Sequence, residues 1–386
     1  MTPLLDHHAA DLASGTPDLD HALRNAPVVL FGAGNLGQRI LKELRYAGIQ
    51  PSAFADNNRR LWGKKVDALE VLSPEDAAER FGAKGIVIIA TWRPAQSGGL
   101  RDLEHQLGSL GCRRVIPFPQ ILWTYPEQLT PHYLWDLPSK IDLERDAILR
   151  AAALFDEMES NREFRYQVEF RKTADIHLLP PLETHPQYFP EFLTPLAEEC
   201  FVDCGAYDGD TLCSFLQWTG GRFRKFIAFE ADPANCEKLR AAAAGYPETA
   251  GRIECRQEAV AASAGTVRFD ANGQAGAAIR ETGGIEVKAV ALDEALAGSN
   301  PTFIKMDIEG AEIDALRGAR DTIRRAQPVL AICAYHRQSD LWRIPLLLHE
   351  LLPAARLFLK SYCLDGLDTV CYAVPEHRLS PRRLVS

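Results

Sequence analysis

The stretch ECFVDCGAYDGDT, residues 199–211, sets Asp203 at the end of a strand-like run and places Gly205 and Gly209 in the turn that follows. A carboxylate ahead of the glycines suits a ligand with a cationic amino-acid end, and the glycines let the backbone pass close to it. Asp208, in the same turn, joins them as a binding candidate. The next run, KFIAFE, ends at Glu230, 25 residues after Gly205. A carboxylate there can accept two ribose hydroxyls. Asp232 with Pro233 opens a helix, an acid cap followed by proline in the first turn, and completes this group. The run RIECRQEAV carries Glu258 toward its end, where an adenine edge would lie.

Further along, TFIKMDIEGAE carries Lys305, Asp307 and Glu309 at alternate positions, which a regular strand presents on one face. His336 follows the run VLAICAY. Two neighbouring strand ends thus deliver an acid and an imidazole to the crevice where open α/β sheets take ligands. Either group can remove a proton from a hydroxyl, so Asp307 and His336 are the expected catalytic residues. Asp307 and Glu309 also make an alternative pair of oxygen ligands for magnesium. Nothing else in the sequence completes a ligand set, and the expectation is no metal. Glu309 and Glu312 read either as members of this carboxylate cluster or as a helix-start carboxylate and a solvated turn, His349 in LLLHELL as a packed or capped histidine, and His105 in LRDLEHQLG as solvent-facing.

The elements that must position these groups alternate. After Asp203 the order is β-α-β-α-β, extra strands, then β-α-β-α-β-β, which predicts a mostly parallel sheet wrapped by helices. An earlier stretch, VVLFGAGNLGQRI, repeats the logic. A buried strand breaks into a Gly32-x-Gly34-x-x-Gly37 turn that includes Asn35, a helix runs to Gly48, and the strand SAFAD ends at Asp56. That spacing fits a Rossmann-like turn with a ribose-binding acid. Gly32, Gly34, Asn35, Gly37 and Asp56 are therefore a possible second nucleotide site, for a nucleotide or NAD. GIVIIATW adds another buried strand. The aromatic, proline-rich stretches 117–137 and 179–195 read as irregular, and 139–172 as helical. Tyr188 and Phe189 are expected either to pack between domains or to wall the following site.

The expected organisation is an N-terminal extension at 1–24, a Rossmann-like nucleotide-binding domain at 25–125, a helical and proline-rich linker at 126–195, and the main domain at 196–386. The fold class is α/β with two Rossmann-like domains.

FVDCGAYDGDT, FIAFEADP, EAVAASAGTVRF, IKMDIEGAE and AYHRQSDLWRIP occur in that order, and together they resemble the FkbM family of methyltransferases over roughly residues 185–386. The resemblance implies a class I methyltransferase fold with a mostly parallel seven-stranded sheet. It implies S-adenosylmethionine as cofactor and a hydroxyl on a sugar or secondary metabolite as acceptor. Tyr207 departs from the usual methyltransferase loop by standing where a middle glycine is common. The first glycine turn, with its DNN-like strand end and WGK and SPED stretches, resembles the small modules that precede sugar-modifying enzymes, which raises a nucleotide-sugar as partner. The alternatives are an NAD-linked oxidoreductase working at GAGNLG and a noncatalytic nucleotide-binding protein.

Composition narrows the classes. A formal charge of −9 over 386 residues gives no electrostatic support for nucleic-acid binding. No apolar run approaches the roughly 20 residues of a membrane span. The N-terminus is acidic and lacks the long apolar stretch of a secretory signal, so a cytoplasmic protein is expected. Nine scattered cysteines without a CxxC pair read as buried free thiols.

Overall fold

The computed structural model describes residues 15–92, 99–178, 185–269 and 284–380. Six strands form the first sheet: β1 (Val28–Phe31), β2 (Ala53–Ala55), β3 (Lys65–Val66), β4 (Leu69–Leu72), β5 (Ile86–Ile89) and β6 (Val115–Pro117). Their order is β3-β4-β2-β1-β5-β6, parallel except for the β3–β4 pair. All four residues of β1 and all four of β5 are buried, as a two-sided parallel sheet requires.

The second sheet has seven strands: β7 (Cys200–Cys204), β8 (Lys225–Phe229), β9 (Ile253–Arg256), β13 (Phe303–Met306), β14 (Val329–Cys333), β15 (Arg356–Ser361) and β16 (Thr369–Val374). The order is β15-β16-β14-β13-β7-β8-β9, and only β16 runs antiparallel to its neighbours. The strand order reverses between β7 and β13, whose carboxyl ends therefore open a crevice. A three-stranded sheet, β10 (Ala259–Val260), β11 (Gly265–Phe269) and β12 (Ile285–Val290), stands beside it in the order β10-β12-β11. The run RIECRQEAV is thus two strands in two sheets, broken at Gln257 and Glu258, rather than one.

The stretch 117–137 is more regular than its composition predicts. Helices span Phe118–Thr124 and Pro126–Leu129, because Pro119 and Pro126 sit at helix starts, where a missing N–H costs nothing. Helices Pro138–Leu143, Arg145–Ala152 and Met158–Thr173 follow. One buried apolar cluster runs from Val28 and Ile88 through Trp135 and Phe170 to Phe201 and Tyr372, so the connecting helices join the two sheets through a shared core. Asp365, between β15 and β16, locks the junction by accepting the Leu100 N–H at the start of helix Gly99–Ser109. His105 is exposed on that helix. His349 is also exposed, contrary to expectation, because it lies on the outer face of helix Asp340–Leu351. All nine cysteines are free, and seven are buried. Among the described residues no helix is long and apolar enough to cross a membrane.

Candidate functional site

A cavity of about 310 Å³ opens at the carboxyl ends of β7, β8 and β13. Its floor is set by a glycine. Gly205 has φ +79°, and a Cβ there would stand 1.9 Å from the Asp307 carbonyl oxygen. The loop after β7 and the end of β13 approach so closely that no side chain fits between them. Tyr207, also left-handed at φ +46°, donates its N–H to Glu230 Oε2 at 2.8 Å, and its ring lies 5.5 Å from Lys238 Nζ. Asp232 N–H donates to the other Glu230 oxygen at 2.8 Å. Burial raises the Glu230 pKa, and these two N–H groups oppose it. Glu230 lines the cavity with both oxygens fixed, and each keeps a lone pair for a further donor.

Several expected ligand residues stand elsewhere. Asp203 is fully buried and does not line the cavity. It pairs with Lys305 Nζ at 2.9 Å. Lys305 also donates to the Gly205 carbonyl oxygen at 2.6 Å. Burial pushes Asp203 up to about 6, against the pull of Lys305. Burial also works against the Lys305 ammonium, but Asp203, Asp307 and Asp210 together hold its pKa above the lysine range. Asp203 is thus an anchor for Lys305, which itself lines the cavity. Asp208 is outside the lining, and Asp210 and Thr211 take that place. Asp232 caps helix Pro233–Ala244, accepting the N–H groups of Ala234 and Asn235. Gly209 serves packing at φ +93°, close to Ala242. Glu258 does line the cavity and pairs with Lys288 at 2.5 Å.

Asp307 is the most heavily coordinated acid of the site. Tyr188 donates to its Oδ2 at 2.9 Å, Tyr335 to its Oδ1 at 3.2 Å, and His336 Nε2 lies 3.3 Å from Oδ1. Burial alone would raise its pKa, but the His336 hydrogen bond and Lys305 hold it far below the usual carboxylate range. His336 Nδ1 lies 2.9 Å from Glu312 Oε1, and Nε2 lies 3.8 Å from Glu309 Oε2. Burial disfavours an imidazolium, yet Glu312 and Asp307 outweigh it and hold the His336 pKa well above 6.5. Flanked by these carboxylates, the imidazole is favoured in its charged form, which works against its expected role as base. Asp307, so strongly stabilised as an anion, is a poor one. Glu312 is not solvated. It is buried, and besides His336 it accepts the Ile308 N–H. Asp307, Glu312 and His336 bring donor atoms within 4.8 Å of one another, two carboxylates around one imidazole.

Lys305, Asp307 and Glu309 all line the cavity, although β13 ends at Met306 and Glu309 is left-handed at φ +56°. The shared direction comes from a turn, not from strand alternation. Tyr188 walls the site and Phe189 packs, stacking on Trp218 at 4.9 Å. Asp368 of the lining, and Tyr133, which hydrogen-bonds Glu309, carry no local sequence signal of a site, and Tyr335 of the lining is marked only by its place beside His336 in AYHRQSDLWRIP.

The first glycine loop is built differently. A Cβ at Gly37 would stand 1.9 Å from the Gly32 carbonyl oxygen, and one at Gly32 would stand 2.7 Å from Thr91 Cβ. Asp56 accepts the Ala33 N–H at 2.9 Å and the Asn58 N–H at 2.8 Å, and Gly32 N–H donates to Ala55. Gly34 and Asn35 are exposed at the start of helix Asn35–Tyr46.

Residues 203–362 match the family model described as the Methyltransferase FkbM domain. The structure is similar to the crystal structure of a methyltransferase FkbM from Methylobacillus flagellatus KT, with a TM-score of 0.77 at 23% identity over 95% of this chain and 97% of that one. A SAM-dependent methyltransferase from Aquifex aeolicus overlaps 61% of this chain and 97% of its own at 13% identity, with a TM-score of 0.27, too distant to add to the argument. No curated protein matches the sequence.

Proposed function

We propose that this chain, an S-adenosylmethionine-dependent methyltransferase whose residues 203–362 form an FkbM-family domain, methylates a hydroxyl on a small sugar or secondary-metabolite acceptor. The observation that supports this is the donor set of the 310 Å³ cavity. Glu230 presents two oxygens already oriented by main-chain N–H groups, which suits a ribose diol. Phe229, Val260 and Phe269 give an apolar wall for a purine, and Asp210 and Asp307 give negative charge for a cationic amino-acid end. The bound cofactor supplies a methyl carbon made electrophilic by its sulfonium.

What the chain contributes is alignment and charge. Lys305, held by Asp203, ties the loop after β7 to β13 and fixes the floor against which acceptor and methyl donor meet. Tyr188 and Tyr335 keep Asp307 oriented, and His336 and Lys305 favour its ionised form. Asp307 therefore serves as a fixed anion beside the reacting groups. At the first loop Asp56 accepts two N–H groups much as Glu230 does, but the Gly32 and Ala33 N–H groups that would face a nucleotide or NAD are already bonded, to the Ala55 carbonyl oxygen and to Asp56.

Calorimetric titration with S-adenosylmethionine, and separately with NAD, tests the reading. The expected result is S-adenosylmethionine binding that Glu230→Ala abolishes. NAD binding alone, lost on Asp56→Ala, would move the chemistry to the first loop and overturn the proposal.

A further inference from the structure

A second cavity of about 420 Å³ adjoins the first, bordered by residues 261–267 (the bend before β11 and the first part of that strand), Ala289, Gly310 and Arg337. Glu309 and Ala311 border both. Glu309 is therefore the carboxylate at the passage from the proposed cofactor cavity into a separate, open space. Its position is enforced. Glu309 and Gly310 are consecutive left-handed residues, at φ +56° and +95°. Buried Glu312 holds this turn from below, accepting the N–H groups of Ile308 at 2.9 Å and Gly310 at 3.4 Å. A left-handed non-glycine residue held in this way is a form of strain that clusters at functional sites.

From this geometry we infer that the second cavity receives the acceptor and that Glu309 is the general base for its hydroxyl. The inference rests on the methyltransferase reading above. In the step, the Glu309 carboxylate takes the hydroxyl proton as the acceptor oxygen bonds to the methyl carbon. The carbon–sulfur bond breaks, its electron pair stays on sulfur, and a neutral thioether leaves.

The surrounding charges fit the role. Burial pushes Glu309 up to about 7, aided by Asp307 and Glu312 and opposed by His336 and by a hydrogen bond from Tyr133. Tyr335 also faces it, and Arg337 packs against Gly310 from the next strand end. A base with a pKa near the working pH combines an available carboxylate with a real affinity for the proton. Asp307 is held toward its anion and His336 toward its cation, so both are displaced from that balance. Because the pKa is raised above the ordinary glutamate value, the carboxylate form, and with it activity, grows as pH rises through about 7.

The test uses the full chain carrying 13C-carboxyl glutamate, with Glu309 assigned by its loss in Glu309→Gln. A titration midpoint near 7 supports the inference, and a midpoint in the ordinary glutamate range overturns it. In parallel, Glu309→Gln is titrated with S-adenosylmethionine. An affinity within about threefold of wild type is expected, and a loss beyond tenfold would place Glu309 in the cofactor site instead and overturn the inference. Failure of wild type to bind S-adenosylmethionine would sink the underlying methyltransferase reading. Transfer of labelled methyl to catechol or methyl glucoside then gives the catalytic readout. Turnover that rises through pH 7 and falls at least a hundredfold in Glu309→Gln, with partial recovery in Glu309→Asp, supports the base role. Full turnover in Glu309→Gln removes it.

Discussion

The two glycine loops of this chain begin alike and end differently. In each, a strand leads into a glycine turn, and the acid at the end of the next strand accepts an N–H from that turn: Asp56 from Ala33, Glu230 from Tyr207. The difference lies in the strands below. β1 and β5 under the first loop are VVLF and IVII, apolar throughout. β7 and β13 under the second carry the buried Asp203–Lys305 pair, and Lys305 reaches the cavity. A turn and a strand-end acid are thus a structural device. They become a site where buried charge and open space come with them.

Glycine substitutions have the largest expected effect, and they separate the close-packed glycine that each loop contains from the open Gly34 of the first. Gly205→Ala and Gly37→Ala each drive a Cβ to 1.9 Å from a carbonyl oxygen, while a Cβ at Gly34 meets nothing within 4 Å. The first two are expected to lose several kcal/mol or fail to fold, and Gly34→Ala to change stability by no more than about 1 kcal/mol. Denaturant unfolding checks this, and a severe Gly34→Ala would mean that the first loop is more constrained than its geometry shows.

Lys305→Met tests the buried pair that only the second sheet has. Leaving Asp203 alone in the core is expected to cost about 3–5 kcal/mol, with much of it regained in Asp203→Asn/Lys305→Met. Equal stabilities for the single and double variants would show that the pair is not coupled.

The acids differ in binding by a smaller margin. Glu230→Gln keeps the shape but removes the charge, and is expected to weaken S-adenosylmethionine binding at least tenfold, about 1.4 kcal/mol. Asp56→Asn is expected to leave it unchanged. Isothermal titration of both variants decides whether the two strand-end acids have the same role.

The smallest effect lies at the junction. Burial pushes Asp365 up to about 6, with the Leu100 N–H opposing. A carboxyl whose pKa is higher folded than unfolded binds more protons in the native state, so its contribution to stability is lost as pH rises from about 4 through 6. The Asp365→Asn variant should therefore gain on wild type over that window, by on the order of 1 kcal/mol, in unfolding measured at pH 4 and pH 7.

Most of the fold was legible in the sequence because it is local. Buried runs such as VVLF, CFVDC and VLAIC, broken by glycine turns and helices, allow little besides parallel α/β sheets. Glu230, Asp307 and Glu258 could be placed at the cavity because strand ends and glycine turns have fixed spacing. Asp203 and His336 were located at the right strands, but the partners that surround them were not legible. Whether a carboxylate faces a ligand or a lysine, and whether an imidazole is neutral, depends on partners about a hundred residues away in one case and on three packed carboxylates in the other. Tyr133, Tyr188 and Asp368 reach the site from segments with no periodic signal. The sequence by itself determined the strands, the turns and the residue types available at their ends. Only tertiary packing decided which of those acids stays ionised, which is spent on a lysine, and which is left near neutrality beside open space, because desolvation and charge pairing are set by neighbours in space rather than in sequence.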